Sequence, residues 1–211
     1  MAYYIFDLDG TLTHSAKGII NSIYYTLDYY QIEKPKFEES QQLIGPPLLN
    51  TFQNLLPSSI SPKDAVKKYR EYYAEKGIYE NELYENVYST LQKIHNSKHT
   101  LALATAKPTY YAKIVLQHFK LLELFEVVVG SHLSGNRTDK KEIIYEVSDQ
   151  LGWETNPQNT FMIGDRASDI LGGKHHQFKT IGVLYGYGTQ QEINDCNPDI
   201  TIDNIASIPI L

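Results

Sequence analysis

Two carboxylates and a hydroxyl lie at the end of the first largely apolar segment of the chain, as Asp7, Asp9 and Thr11. The apolar residues over 3–8 predict a short strand, and side chains two positions apart on a strand share one face. Asp7 and Asp9 are therefore expected on the same side, and Gly10 gives the backbone the freedom to turn sharply after them. Open α/β sheets bind their ligands at the carboxyl ends of strands, so this acid pair indicates a ligand site.

Two other structures contain Asp and Gly in this order. An EF-hand calcium loop needs Gly at its sixth position, whereas Gly10 is fourth when Asp7 is counted as the first. A simple polar turn is the commoner fate of Asp and Gly after a strand, and residues 6–11 alone leave that alternative open. The rest of the chain must decide between a turn and a site.

From about residue 86 the chain alternates helical and apolar segments, which predicts a parallel sheet. Several strands are continuously apolar, as expected when helices cover both faces. The predicted fold class is thus α/β, a Rossmann-like parallel sheet with helices on both faces. The expected helices lie near 86–97, 108–119, 140–151 and 167–176, and the expected strands at 100–104, 127–130, 160–163, 180–184 and 199–202.

A long segment separates the first strand from the rest of this sheet. Residues 15–82 show helical periodicity throughout, which predicts an all-helical insertion. The first strand needs the sheet to be stable. We therefore predict one core domain made of 1–14 and 83–211, with 15–82 inserted as a separate domain.

Three of the other predicted strands are also followed by polar residues. Thr105 and Lys107, with Ala106 between them, follow the second strand, Lys140 and Lys141 follow the third, and Asp165 and Asp169 follow the fourth. Acids, a hydroxyl and a lysine gathered at one edge need a cation and an anion to join them. Hard oxygen ligands of this kind suit Mg²⁺ with a phosphate, so we predict a Mg²⁺ site that takes a phosphate ester.

Each of these residues also has a purely structural explanation. Asp165 could cap a helix, Thr105 could cap the helix that starts near Pro108, and either lysine could simply be solvated. These explanations compete residue by residue. They do not account for the coincidence of such residues at successive strand ends.

The composition is that of an ordinary globular protein. The chain has 211 residues, 42% hydrophobic and 21% charged, enough for one well-cored domain with a smaller insertion. A net charge of −6 and a pI near 5.6 argue against binding to nucleic acid polymers. A single cysteine, no apolar run of membrane-spanning length and no leader before the first strand lead us to expect a cytoplasmic protein.

These residues together resemble the haloacid dehalogenase (HAD) superfamily, specifically its phosphatases with a helical cap after the first strand, close to the phosphoglycolate phosphatase group. The resemblance covers essentially the whole chain. It rests on four motifs, which here are Asp7-Leu8-Asp9-Gly10-Thr11, Thr105, Lys140, and Gly164-Asp165 with Asp169. The first and fourth are specific in combination, whereas the second and third are weak alone. Lys140 is preferred to Lys141 because it matches the family pattern Asp-Lys-x-Glu-Ile-Ile.

The resemblance implies a role for each of these residues. Asp7 is the expected nucleophile, forming an aspartyl-phosphate, and Asp9 is the expected acid and base. The expected Mg²⁺ ligands are Asp7, Asp9 through its backbone carbonyl, Asp165 and Asp169. The expected phosphate-binding residues are Gly10, Thr11, Thr105, Ala106 and Lys140.

In this resemblance residues 15–82 correspond to a cap domain, whose substrate loop is expected at Gly45, Pro46 and Pro47. The expected activity is Mg²⁺-dependent hydrolysis of a small phosphomonoester, either phosphoglycolate-like or a nucleoside monophosphate. A sugar phosphomutase would share all four motifs and is the alternative. The expected partner is a small-molecule phosphate ester, with no nucleic acid polymer and no membrane, and the expected oligomeric state is a monomer or homodimer.

Overall fold

The computed structural model of the chain describes residues 1–152 and 157–211. Its strands are β1 (Tyr3–Phe6), β2 (Thr13–His14), β3 (Glu82–Leu83), β4 (Thr100–Pro108), β5 (Val127–Ser131), β6 (Thr160–Gly164), β7 (Lys179–Val183) and β8 (Ile200–Ile202). Its helices are α1 (Ala16–Tyr29), α2 (Phe37–Ser40), α3 (Leu48–Leu55), α4 (Pro62–Glu75), α5 (Val87–Asn96), α6 (Thr109–His118), α7 (Lys140–Gln150), α8 (Ala167–His175) and α9 (Gln190–Asp195).

Six of these strands form one parallel sheet in the order β5-β4-β1-β6-β7-β8, and β2 pairs with β3 in a separate two-stranded sheet. β1 therefore lies in the middle, between β4 and β6. The chain adds strands outward on one side of β1 and then crosses to the other side. Such a reversal leaves a crevice at the carboxyl ends of the strands. The predicted α/β fold with a parallel sheet flanked by helices is confirmed.

The sheet is stable because its strands bury apolar side chains against helices. Ile5 of β1 pairs with Ala102 of β4 and Met162 of β6, and all three are at most 1% exposed. They share a core cluster with Ile143 and Val147 of α7. Full burial of a Val, Ile or Met side chain contributes about 1.5 to 3 kcal/mol. This layer holds the polar ends of β1, β4 and β6 next to each other.

β1, predicted over 3–8, ends at Phe6. The other predicted elements of the sheet agree with the observed ones to within one residue at either end, except at β4. The prediction ends that strand at Ala104, whereas it continues to Pro108. Its pairing with β5 shifts register between Thr105 and Pro108. Because of this irregularity, a regular sequence pattern does not show that the strand continues beyond Ala104. The short elements β2, β3 and α9 were not predicted.

The chain divides into two compact units. Residues 1–14 with 83–211 contain the six-stranded sheet, and residues 15–82 contain α1 to α4. Within this helical unit α1 packs against α4, and α3 also packs against α4. Glu82, expected within the helical segment, belongs to β3 instead. None of the helices in 1–152 and 157–211 combines the length and apolar character that crossing a membrane requires.

Candidate active site

Three carboxylates meet at the carboxyl end of the sheet. Asp7 follows β1, Asp165 follows β6, and Asp169 lies in the first turn of α8. One oxygen from each lies within 4.8 Å of the others. The Asp7 N–H extends the pairing of β1 with β6 by donating to the Ile163 carbonyl at 2.9 Å. The register of two adjacent strands therefore brings Asp7 and Asp165 together.

Asp169 is held by the start of α8. Its Oδ2 accepts a hydrogen bond from the Arg166 N–H at 3.0 Å, which satisfies a donor that the helix itself leaves unpaired. Gly164 permits this close packing, because a Cβ there would lie 2.3 Å from the Asp169 carboxyl group. The N-cap residue of α8 is Arg166. Helix capping therefore does not explain Asp165.

A buried lysine balances part of this negative charge. Lys140 begins α7, and its Nζ lies 3.0 Å from Asp7 Oδ1 and 2.7 Å from Asp169 Oδ1. The same Nζ donates to the Ala104 carbonyl at 2.9 Å. Burial lowers the pKa of Lys140, but the charges of Asp169 and Asp7 outweigh this effect, so the pKa is raised. Lys141, the other candidate, is exposed.

One lysine does not offset the charge of three acids. Burial raises the pKa of Asp165, and the charges of Asp169 and Asp7 raise it further. Burial also raises the pKa of Asp169 despite the nearby Lys140. Asp7 Oδ1 and Asp169 Oδ1 lie at ion-pair distance from Lys140, yet accept no well-directed hydrogen bond from any residue that the structure describes. This set of oxygens fits a divalent cation such as Mg²⁺.

Solvent reaches the three acids unequally. The side chain of Asp7 is 11% exposed, whereas Asp165 and Asp169 are 0% exposed. A substrate can therefore touch Asp7 while the other two acids stay behind it. This difference suits Asp7 to react and the other two to hold a cation.

Asp9 lies outside this cluster. Both oxygens of its carboxylate accept hydrogen bonds from the Lys107 Nζ, at 2.7 Å and 2.5 Å. Within the described part of the chain, the acids grouped closely enough to share a cation are Asp7, Asp165 and Asp169. Any contact of Asp9 with the cation would therefore use its backbone carbonyl.

The turn after Asp9 packs directly against Asp165. Gly10 has a φ of +87°, and a Cβ there would lie 2.3 Å from Asp165 Oδ2. The Gly10 N–H donates to the Thr13 carbonyl at 2.8 Å, and the Thr11 hydroxyl donates to Asp165 Oδ1 at 2.9 Å. Gly10 and Thr11 thus position a buried acid, and their contact with phosphate stays a prediction.

Thr105 and Ala106 lie in the irregular end of β4. Thr105 is buried, and its hydroxyl accepts a hydrogen bond from the Lys107 N–H at 3.3 Å. Just before it, the Ala104 carbonyl accepts from Lys140. This end of β4 lies beside both buried lysines, which is compatible with the predicted role of Thr105 and Ala106 in binding phosphate.

The loop after β7 was missed by the sequence prediction. The Tyr187 N–H donates to Asp165 Oδ2 at 2.9 Å, and the Tyr185 hydroxyl donates to the Thr11 carbonyl at 2.9 Å. A Cβ on Gly186 would lie 2.3 Å from the Asp165 Cβ. The alternation of tyrosine and glycine directly after a strand is the signal that could have found this loop, because glycine lets the backbone approach closely.

The predicted substrate loop lies in the helical unit. Gly45 and Pro46 are exposed, Gly45 has a φ of +106°, and Pro47 is the N-cap residue of α3. The glycine is thus required by the turn itself, since a positive φ strains other residues. Its assignment to substrate binding is unchanged as a prediction.

Known proteins are similar to this chain in both sequence and fold. The sequence profile of the haloacid dehalogenase-like hydrolases matches residues 4–183. A 5'-nucleotidase of Pseudomonas aeruginosa is 34% identical over 97% of this chain and 92% of its own. The tyrosine-protein kinase PtkA of Mycobacterium tuberculosis is 31% identical over 95% of this chain and 70% of its own. A predicted phosphatase from Clostridium acetobutylicum has 32% identity and a TM-score of 0.88, over 97% of this chain and 94% of its own.

The chain therefore belongs to the haloacid dehalogenase-like hydrolases. Within that family it is an enzyme of the phosphatase type. The family and the enzyme class predicted from the four motifs are confirmed, as is the fold class predicted from the alternation of helical and apolar segments.

Proposed function

We propose that the chain hydrolyses a small phosphomonoester with the help of Mg²⁺, through an aspartyl-phosphate on Asp7. The observation that carries this proposal is the partly exposed Asp7 carboxylate, which contacts Lys140 and is backed by two fully buried acids. A carboxylate can attack phosphorus where positive charge offsets the repulsion between two anions. Lys140 supplies one such charge.

In the first half-reaction Asp7 is the nucleophile. One of its oxygens bonds to phosphorus as the ester P–O bond breaks, and the bonding electron pair goes to the leaving oxygen. Asp9 gives that oxygen a proton. Lys140, 3.0 Å from Asp7, reduces the repulsion between the carboxylate and the incoming phosphate. The products are an aspartyl-phosphate and a free alcohol.

In the second half-reaction water releases the phosphate. The water oxygen bonds to phosphorus, a proton of that water passes to Asp9, and the bond to Asp7 breaks with its electron pair returning to the carboxylate. In both halves Thr105 and Lys140 hold the oxygens of the phosphoryl group, where charge develops in the transition state. The enzyme returns to its starting form with Asp9 protonated.

The cation would be held by Asp165, Asp169 and one oxygen of Asp7, with the Asp9 carbonyl as a further ligand. Mg²⁺, when bound, supplies the remaining positive charge that lets two anions approach each other. The Thr11 hydroxyl fixes Asp165 by a hydrogen bond of 2.9 Å. Ligands held in this way by neighbouring residues bind a metal more tightly than freely moving ones.

A nucleoside monophosphate is the substrate class that the 5'-nucleotidase relative supports. The core unit also offers aromatic rings on which a base could stack: the ring centroid of His14 lies 5.7 Å from that of Tyr84 and 5.9 Å from that of Tyr187. A phosphoglycolate-like acid is the other substrate class. In either case we propose that residues 15–82 act as a cap that selects the substrate.

Phosphoryl transfer to an acceptor other than water is the second candidate function. The relative PtkA is named a kinase, and a sugar phosphomutase would form the same aspartyl-phosphate. Both would need an acceptor molecule. Release of inorganic phosphate from a monoester with no added acceptor therefore separates hydrolysis from either transfer reaction.

The test is phosphate release from nucleoside monophosphates, phosphoglycolate and p-nitrophenyl phosphate, in Mg²⁺ and in EDTA. We expect turnover in Mg²⁺, its loss in EDTA, and none in Asp7→Asn or Asp165→Asn. Asp203→Asn, at an exposed acid, is the matched control and should keep the wild-type rate. Mass spectrometry after an acid quench should find a phosphoryl group on the peptide that contains Asp7. Full activity in EDTA, or in Asp7→Asn, would contradict the proposal.

A further inference from the structure

Lys107 is a second buried lysine at the strand ends, and the mechanism above gives it no role. It lies in the irregular end of β4, is 8% exposed, and donates from Nζ to both oxygens of Asp9 at 2.7 Å and 2.5 Å. Burying an ammonium group costs several kcal/mol before its pairing offsets that cost. Lysine is therefore seldom buried without a charged partner, and here the partner is the proposed acid and base.

The two buried lysines contact different acids of the site. Lys140 contacts Asp7 and Asp169 at 3.0 Å and 2.7 Å, whereas Lys107 contacts Asp9. The Asp9 carboxylate consequently points to its own lysine, outside the group of acids that can share a cation. The arrangement keeps the acid that would handle protons apart from the acids that would hold metal.

Exposure indicates which partner of the pair can meet a substrate. The Asp9 side chain is 16% exposed, against 5% for Lys107. The carboxylate is therefore the more accessible partner of the pair, and the role considered for the lysine is one that it exerts through Asp9. Because the Lys107 Nζ donates hydrogen bonds to both carboxylate oxygens, Lys107 restricts the rotation of the Asp9 side chain, which would be free in an unpaired aspartate.

We infer that Lys107 is a positioning residue, which holds the Asp9 carboxyl group toward the leaving oxygen of the substrate. The inference rests on the proposed function. When the ester P–O bond breaks, its electron pair and the proton of Asp9 both go to the ester oxygen, and the carboxylate that remains is paired with Lys107. That carboxylate then takes a proton from the attacking water. Lys107 therefore matters most for substrates whose leaving oxygen needs a proton.

The dependence of the rate on the leaving group tests this role. Lys107→Met removes the ammonium group and keeps a long unbranched side chain. For a nucleoside monophosphate we expect kcat to fall roughly 10- to 100-fold, the cost of a misplaced acid, with KM little changed. For p-nitrophenyl phosphate, whose leaving group departs without a proton, kcat should fall less than roughly threefold. Lys107→Arg, which keeps the charge, should recover part of the rate.

Controls separate positioning from a loss of structure. Lys113→Met, at an exposed lysine of α6, should keep both rates. Circular dichroism and Mg²⁺ titration should show Lys107→Met folded with unchanged metal affinity, and Lys107→Gln carries the same comparison if Lys107→Met unfolds. Equal losses on both substrates, or a change confined to KM, would overturn the inference while leaving phosphate hydrolysis intact. A wild-type chain that releases phosphate from no monoester would overturn the proposed function, and the inference with it.

Discussion

Two adjacent lysines at the start of α7 have opposite environments. Lys140 is 4% exposed and ion-paired with two carboxylates, whereas Lys141 is exposed. Removing one partner of a buried ion pair leaves an uncompensated charge, which costs far more than losing a surface pair. The two positions share the same helix and differ in sequence by one place, so they allow a direct comparison.

We predict that Lys140→Met destabilises the metal-free protein by about 3 to 5 kcal/mol, because Asp7 and Asp169 lose their counter-charge. Lys141→Met should change the free energy of unfolding by less than about 0.5 kcal/mol. Urea unfolding in EDTA measures both values. Added Mg²⁺ should recover part of the loss in Lys140→Met, since a cation can replace the missing charge. Equal effects of the two substitutions would argue against Lys140 as a member of the site.

At the level of elements, apolar runs that end in polar residues were enough to predict the six strands of the parallel sheet, though not the short strands β2 and β3. Asp7 and Asp165 follow the fully buried runs β1 and β6, so their place at the carboxyl edge could be inferred from the sequence. Lys140 was found through the family pattern, because a lysine at a helix start is ordinarily solvated. Motifs next to a strand are thus predictable where the strand itself is strongly apolar.

Contacts that cross from one strand to another could not be predicted in this way. Lys107 lies 98 residues from Asp9 in the chain, and the two meet because β4 pairs with β1. The Tyr187 N–H reaches Asp165 because β7 pairs with β6. Hydrophobic periodicity indicates the face that a residue takes, but it does not specify which strand is the neighbour.

The turn after β1 leads to a prediction on metal binding. Gly10→Ala would place a Cβ at a φ of +87° and 2.3 Å from Asp165 Oδ2. Gly152→Ala is the matched control, because Gly152 has a φ of +77° but its Cβ would meet no described atom within 4 Å beyond its chain neighbours. The backbone cost should be similar at both, about 1 to 2 kcal/mol. By calorimetric titration only Gly10→Ala should weaken Mg²⁺ binding, roughly 10- to 100-fold. Unchanged affinity would show that Asp165 does not hold the ion.

In the whole molecule, the charged residues of the candidate site all belong to one of the two units. The acids and both buried lysines lie within 1–14 and 83–211, and residues 15–82 contribute none of them. The chain leaves the core after β2 and re-enters it through β3, and these two strands pair with each other. The insertion can therefore be removed where these two strands lie side by side. This makes it possible to test whether the core unit carries out the chemistry while the helical unit selects the substrate.

We predict that the core unit binds Mg²⁺ without the helical unit but no longer selects its substrate. The variant joins His14 to Glu82 through a short Gly-Ser linker in place of residues 15–81, so that both β2 and β3 are kept. Circular dichroism should show a folded chain, and Mg²⁺ should still raise its melting temperature. For nucleoside monophosphates kcat/KM should fall roughly 100-fold, but for p-nitrophenyl phosphate by less than roughly tenfold, because contacts remote from the phosphate contribute binding energy only to the larger substrate. Equal losses on both substrates would show that residues 15–82 take no part in choosing what Asp7 attacks.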